Sequence, residues 1–172
     1  PTLIASSNTD SAYGTYTVPN LPAGTYYLQT WNKGAPYLDE WWKSPTSSTN
    51  CLVAEPVTVT DGTTTSGINF QLDNGATVSG TIYKSDGTTL LTGVTIQVLV
   101  YSGNPCGYIS QVNHGFTDSA NGTYTVGGLP TGDYYLMADN MNQSNYVNEW
   151  LGASGSVIDC SDARPVAVSI GT

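Results

Sequence analysis

Two near-copies of one sequence unit fill this chain of 172 residues. A repeat this long closes separate cores rather than stacking as a solenoid. The stretch DSAYGTYTVPNLPAGTYYL, Asp10 to Leu28, returns 108 residues later as DSANGTYTVGGLPTGDYYL, Asp118 to Leu136. YLDEWW (Tyr37 to Trp42) returns as YVNEWL (Tyr146 to Leu151), and CLVAEPVTV (Cys51 to Val59) as CSDARPVAV (Cys160 to Val168), both shifted by 109. The copies overlap only in part. Ala76 to Cys106 has no counterpart in the first copy, and Thr64 to Gly75, which closes the first copy, has none in the second. The expectation is a stretch of a longer array. Repeat 1 covers residues 1–75 and lacks its first two strands; repeat 2 covers 76–172 and lacks its last.

Within each copy apolar residues alternate, which is the period of a half-buried strand. Val94, Ile96, Val98 and Val100 share one face while Thr95 and Gln97 oppose them. Tyr134, Leu136 and Ala138 line up, as do Tyr26 and Leu28 in the first copy. Val166, Val168 and Ile170 match Val57 and Val59, and Ile68, Phe70 and Leu72 form a further alternating run. Turn residues punctuate these runs: Asp61-Gly62, Asp86-Gly87, Asn121-Gly122 and the Leu-Pro-x-Gly before each Tyr-Tyr-Leu. No segment carries a helical period. The fold expected is all-β: two tandem antiparallel sandwiches, each incomplete here. Each Tyr-Tyr-Leu strand leads into an irregular crossover of about 25 residues that holds Tyr-x-x-Glu-Trp and a cysteine.

The net charge of −9, from 13 acids against four bases, repels a phosphate backbone and an anionic membrane surface alike. No apolar run approaches the roughly 20 residues that span a bilayer. Cys51 and Cys160 are equivalent positions, and the counterpart of Cys106 falls upstream of Pro1. We therefore read a Cys106–Cys160 disulfide, with Cys51 separated from its own partner; a free reactive Cys51 is the alternative. Paired cysteines place the chain outside the cytoplasm, extracellular or at a cell surface.

The run GTIYKSDGTTLLTGVTIQVLV, then GTYTVGGLPTGDYYLMA, YVNEWL and ARPVAVSIG, with TTSGINFQL from the first copy, resembles the carboxypeptidase regulatory-like domain. That family is similar to the prealbumin-like and Cna-B-like sandwiches, so the resemblance implies that the two tandem sandwiches are Ig-like or prealbumin-like. The resemblance covers nearly the whole chain. It implies a fold shared by adhesins, stalks, filament subunits and accessory modules of secreted enzymes, and it implies no peptidase activity.

Site chemistry is sparse. His114, the one histidine, sits in a strand-like run with no nucleophile elbow near it in sequence. Glu40 and Glu149 occupy equivalent places in different repeats, so they make no glycosidase-type pair, and each reads as a hydrogen-bond acceptor or a cap of the local backbone. No cysteine or histidine spacing suits zinc, and the Asp10 and Asp118 turns lack the spacing of a calcium loop. No catalytic residue, metal or cofactor is expected. Trp41 and Trp150, repeated at one register, read as covers of the core. Trp31, Tyr37 and Trp42 are the candidate ligand or subunit contacts. Lys84 and Asn69 lie in strand types that carry isopeptide bonds in Cna-B-like domains, but in different repeats. Asn121 and Asn142 open N-glycan acceptor triplets. The function expected is structural: a module of a surface stalk, adhesin or filament, assembling end to end with copies of itself, with strand complementation as the route. The rival expectation is a carbohydrate-binding accessory module of a secreted hydrolase, with polysaccharide as partner.

Overall fold

A computed structural model describes residues 2–32, 35–143 and 145–171. The protein is all-β with antiparallel sheets, and the described residues contain no α-helix. The chain divides into two compact units. Unit 1 is Pro1–Thr30 with Glu40–Gln71, and unit 2 is Trp31–Asp39 with Leu72–Thr172. The division is not contiguous, since Trp31–Asp39 lies in the first copy by sequence and in unit 2 by structure.

Unit 1 contains four short strands: β1 (Gly24–Tyr26), β2 (Trp41–Trp42), β3 (Ser47–Ser48) and β4 (Val57–Val59). β1 pairs with β4, and β2 with β3. Asp10 organises the first turn: its carboxylate accepts from the Ala12 and Tyr13 N–H groups, and its carbonyl accepts from Gly14 N–H at 2.8 Å. Gly14 takes φ +67°, a conformation that suits a residue without Cβ. Little of unit 1 is fully buried; Val57 and Glu40 are its buried positions.

The alternating run through Ile68, Phe70 and Leu72 does not form the strand that its pattern predicts. Thr64–Leu72 joins no ladder among the described residues. It is held through side chains: Tyr16 Oη donates to the Ile68 carbonyl at 2.6 Å, and the Tyr16 and Phe70 rings meet at 6.2 Å. A β-pattern needs a backbone ladder to become a strand, and this segment meets its neighbouring strands through side chains: Thr65 Oγ1 donates to the Thr58 carbonyl on β4 at 3.1 Å, and Ser47 Oγ on β3 donates to the Gln71 carbonyl at 2.6 Å.

Unit 2 contains β5 (Ala76–Thr81), β6 (Gln97–Gly103), β7 (Ile109–Phe116), β8 (Thr123–Leu129), β9 (Gly132–Asp139), β10 (Glu149–Gly152), β11 (Gly155–Val157) and β12 (Val166–Val168). β11, β10, β9, β6 and β7 form one sheet in that order, and β12 joins it as a sixth strand along β9. β5 and β8 form a separate pair. The inward faces meet in one cluster: Ala76 and Val78 from β5, Val98 and Val100 from β6, Val126 and Leu129 from β8, Tyr134 and Leu136 from β9, and Val168 from β12. The alternation read from the sequence supplies the inward residues of β6, β9 and β12, whereas on β8 the two core residues stand three apart across Gly127 and Gly128. Asn113, on β7, is buried and satisfied; its Nδ2 donates to the Gly127 carbonyl at 2.8 Å.

Candidate functional site

The edges of two strands in unit 2 frame an open groove. Among the described strands β5 pairs with β8 alone and β12 with β9 alone. The other edges of β5 and β12 face a groove of about 450 Å³ lined by Gly75–Ser79, Val166–Ser169 and Gly171. Its lining carries no charged residue in a chain of net charge −9. The side chains are small, so the backbone N–H and C=O groups of two strand edges dominate the surface. Such an edge is a template for one more strand. Ala76, Val78 and Val168 line the groove and belong to the core cluster, so an added strand with apolar alternate residues continues that core.

The cysteines fall on one structural theme. Each copy has a 3-10 turn after the Glu-Trp hairpin, at Cys51–Val53 and Cys160–Asp162. The side chain of Asn50 caps the first by accepting from Leu52 N–H at 3.0 Å, and Asp159 caps the second by accepting from Ser161 N–H at 2.9 Å. Those Ser161 bonds hold the exposed Asp159 carboxyl below its usual range. Cys160 is bonded to Cys106, which lies in the β6–β7 connection. Cys51 is an exposed free thiol. Cys106, Asp159 and Cys160 are the one grouping of potential metal ligands among the described residues, and the sulfur–sulfur bond removes both thiolates as donors.

The glutamates of the Glu-Trp motifs do one job twice. Ser47 Oγ donates a short bond to the Glu40 carboxylate across the β2–β3 hairpin, and Ser156 Oγ does the same to Glu149 across β10–β11. Glu40 is 1% exposed. Sequence reasoning assigned both as acceptors without finding the donors; the common spacing of seven, Glu40 to Ser47 and Glu149 to Ser156, was the available signal. Trp41 and Trp150 are half-buried, and the Trp150 ring meets Tyr101 at 5.5 Å.

The three candidate contact aromatics are not brought into one described site. Trp31 and Tyr37 belong to unit 2 and Trp42 to unit 1. Trp31 is 73% exposed, Tyr37 is exposed and Trp42 half-buried. His114 lies on β7 against Phe116, their rings 5.5 Å apart and edge to face. Lys84 and Asn69 are exposed in different units. Asn121 is exposed but its amide is engaged: Oδ1 accepts from Thr123 N–H and hydroxyl, and Nδ2 donates to Asp118. Asn142 is exposed at φ +65°, and the hydroxyl residue of its triplet, Ser144, lies outside the described residues.

One arrangement had no counterpart in the sequence reading. Residues 32 and 35–39 form an arm on unit 2. Leu38 N–H donates to the Asp73 carbonyl at 2.9 Å, and Gly75 N–H donates to the Pro36 carbonyl at 2.8 Å. Asn113 Nδ2 reaches Asn32 Oδ1 at 3.3 Å. The arm passes so close to Gly128 that a Cβ there would stand 2.5 Å from the Tyr37 carbonyl oxygen and 2.5 Å from Asn32 Nδ2. The arm is tied to itself by Asn32 Nδ2 donating to the Tyr37 carbonyl, and by Asn32 N–H donating to Asp39 Oδ1, each at 2.6 Å. Burial raises the Asp39 carboxyl above its usual range, against the lowering by the Asn32 N–H.

Comparison of the chain with protein-family models, with curated proteins and with solved structures finds no match.

Proposed function

We propose that this chain is a structural repeat from an extracellular stalk, adhesin or filament, built of tandem prealbumin-like sandwiches of the carboxypeptidase regulatory-like kind and completed by strand addition. The observation that carries this reading is the groove between β5 and β12. The repeat arithmetic names the strand it fits. In the first copy, Val57–Val59 is followed by TTSGINFQL; the equivalent β12 borders the groove. A segment of that kind is uncharged, as the lining is. Laid on the free edge of β5, it gains backbone hydrogen bonds and buries alternate apolar side chains against the core, at about 1.5–3 kcal/mol for each large one. Asp73, Asn74 and Gly75 are held by residues 36–38, so they do not serve as a hairpin turn that folds the chain's own Thr65–Leu72 back onto β5. The donor is then another module. The disulfide, and the absence of any described helix long and apolar enough to cross a membrane, are compatible with an extracellular site.

The test is a synthetic peptide of residues 64–75 added to the intact chain, with amide exchange read along Ala76–Thr81. Slowed exchange there, lost when the peptide carries F70D, supports strand addition. Unchanged exchange at saturating peptide, with no fibres or oligomers at high protein concentration, refutes it. A carbohydrate-binding reading rests on the exposed Trp31; a change in tryptophan fluorescence on titration with soluble polysaccharides, abolished by W31A, is the result that would favour it.

A further inference from the structure

The arm on unit 2 has a twin. In the second copy Asn140 Nδ2 donates a short bond to the Tyr146 carbonyl, and Asn140 N–H donates to Asn148 Oδ1 at 2.9 Å. Gln143 N–H donates to the Asn140 carbonyl as Ala35 N–H does to that of Asn32. One extra residue in this loop accounts for the change of period from 108 to 109. The folded shape is therefore kept, but the surroundings are not. Leu38 is 4% exposed against unit 2; its equivalent, Val147, is 60% exposed. A preorganised arm with its apolar tip in solvent presents a surface already shaped for binding.

Resting on the modular reading above, we propose that Asn140 with Tyr146–Asn148 is a docking arm for a further module of this sequence type, which it grips at a Gly-Gly pair as residues 32 and 35–39 grip Gly127 and Gly128. The choice of occupant follows from the acceptor. Gly128 sits at φ +67° with arm atoms where a Cβ would be, and a Cβ on Gly127 would stand 3.2 Å from Pro36 Cα. The first copy has Pro19 and Asn20 at these places. Asn20 keeps the positive φ, at +59°, but its Cβ occupies the place that arm atoms take at Gly128, and Pro19 adds a Cβ where Gly127 leaves only a tight 3.2 Å to Pro36 Cα. Unit 1 of another copy is therefore excluded as the acceptor. In unit 2 the acceptor is already covered by its own arm. What remains is a module with Gly-Gly ahead of Leu-Pro.

The experiment extends the chain by a second copy of residues 64–172 placed directly after Thr172, which continues the 109-residue period. This supplies both a strand for the β5–β12 groove and a module with a Gly-Gly acceptor. The expected result is that amide exchange at Val147 slows by about tenfold or more relative to the 172-residue chain. That slowing is lost when Gly128 of the added module becomes Asn, a residue that tolerates the same φ, and also in V147D, which alters an exposed position. Exchange at Ala76–Thr81 stays slow in both variants. Val147 exchange unchanged while β5 becomes protected overturns the arm and leaves strand addition standing. Val147 slowed but indifferent to both substitutions also overturns it. Neither site slowed removes the modular reading and the arm with it.

Discussion

Tyr26 and Tyr134 make the same hydrogen bond in very different surroundings. Each hydroxyl donates back to a proline carbonyl four residues earlier, Pro22 at 2.9 Å and Pro130 at 2.8 Å. The strands around them pair in one register: Gly24 with Val59 and Tyr26 with Val57, Gly132 with Val168 and Tyr134 with Val166. Trp41 opposite Ser48 matches Trp150 opposite Val157. Yet Leu129 is 0% exposed while its equivalent Leu21 is half-buried, and Val126 stands against Val18 in the same way. Unit 2 has β5, β6 and β7 to roof these positions. Local hydrogen bonds thus reproduce wherever the local sequence recurs, whereas burial depends on segments far along the chain. That difference is what a core adds to a motif.

The sharpest way to break the comparison is to remove what only unit 2 has. Cys106 and Cys160 lie 54 residues apart, and cross-linking a loop of that length restricts the unfolded chain by about 4 kcal/mol in the loop-entropy account. C106S with C160S should therefore destabilise unit 2 by roughly that amount and leave exchange rates in unit 1 unchanged. Mass spectrometry of peptides from each unit reads both. Alkylation before reduction should label Cys51 alone. Equal loss in both units would show that their stabilities are coupled.

A smaller effect separates two turns of nearly identical sequence. Gly14 and Gly122 have φ +67° and +70°, and each follows an aspartate whose side chain caps the turn. A Cβ on Gly14 meets nothing within 4 Å, while one on Gly122 stands 2.9 Å from the Leu91 carbonyl oxygen and 3.0 Å from that of Ile82. G14A should cost about 1 kcal/mol, the strain of the backbone alone. G122A should cost about 2–3 kcal/mol, because two backbone oxygens must also move. Urea denaturation of each variant measures the pair. Equal costs would mean that the close packing around Gly122 yields freely.

These pairs also show what the sequence could say. The Asp-Ser-Ala-x-Gly-Thr turns, the Tyr-Tyr-Leu strand and its partner were legible because their determinants lie within a few residues. Which copy buries Leu129 or Leu21 was legible only as the presence or absence of Ala76 to Cys106. The run Ile68, Phe70, Leu72 has strand alternation, yet a ladder needs a neighbour that no periodicity supplies. The groove was not legible, because alternation along β5 and β12 does not say which edge of either strand is left without a partner. The arm was missed because its grip is made by carbonyl groups and by the absence of a Cβ at Gly128. The only trace in the sequence is Gly-Gly standing where the first copy has Pro-Asn.

The finest contrast is an exchange of acid and amide between the copies. The arm acceptor is Asp39 in the first copy and Asn148 in the second; the 3-10 cap is Asn50 in the first and Asp159 in the second. Each site needs one side-chain oxygen facing one N–H, and either residue provides it. The acids nevertheless titrate in opposite senses. Asp39 is raised, so folding favours its protonated form; that contribution is present below the ordinary carboxylate range and is lost as pH rises through the folded value. Asp159 is lowered, so its contribution is present above the ordinary value and is lost as pH falls through the folded one. D39N should raise stability at pH above the folded value of Asp39 by no more than about 0.5 kcal/mol after solvent screening, and the gain should vanish in acid. D159N should instead lower stability at neutral pH, with the difference from the parent closing in acid. Denaturation midpoints from pH 3 to pH 8 test the signs, and two profiles that shift the same way would show that burial of Asp39 and hydrogen bonding to Asp159 do not push the two carboxyls in opposite senses.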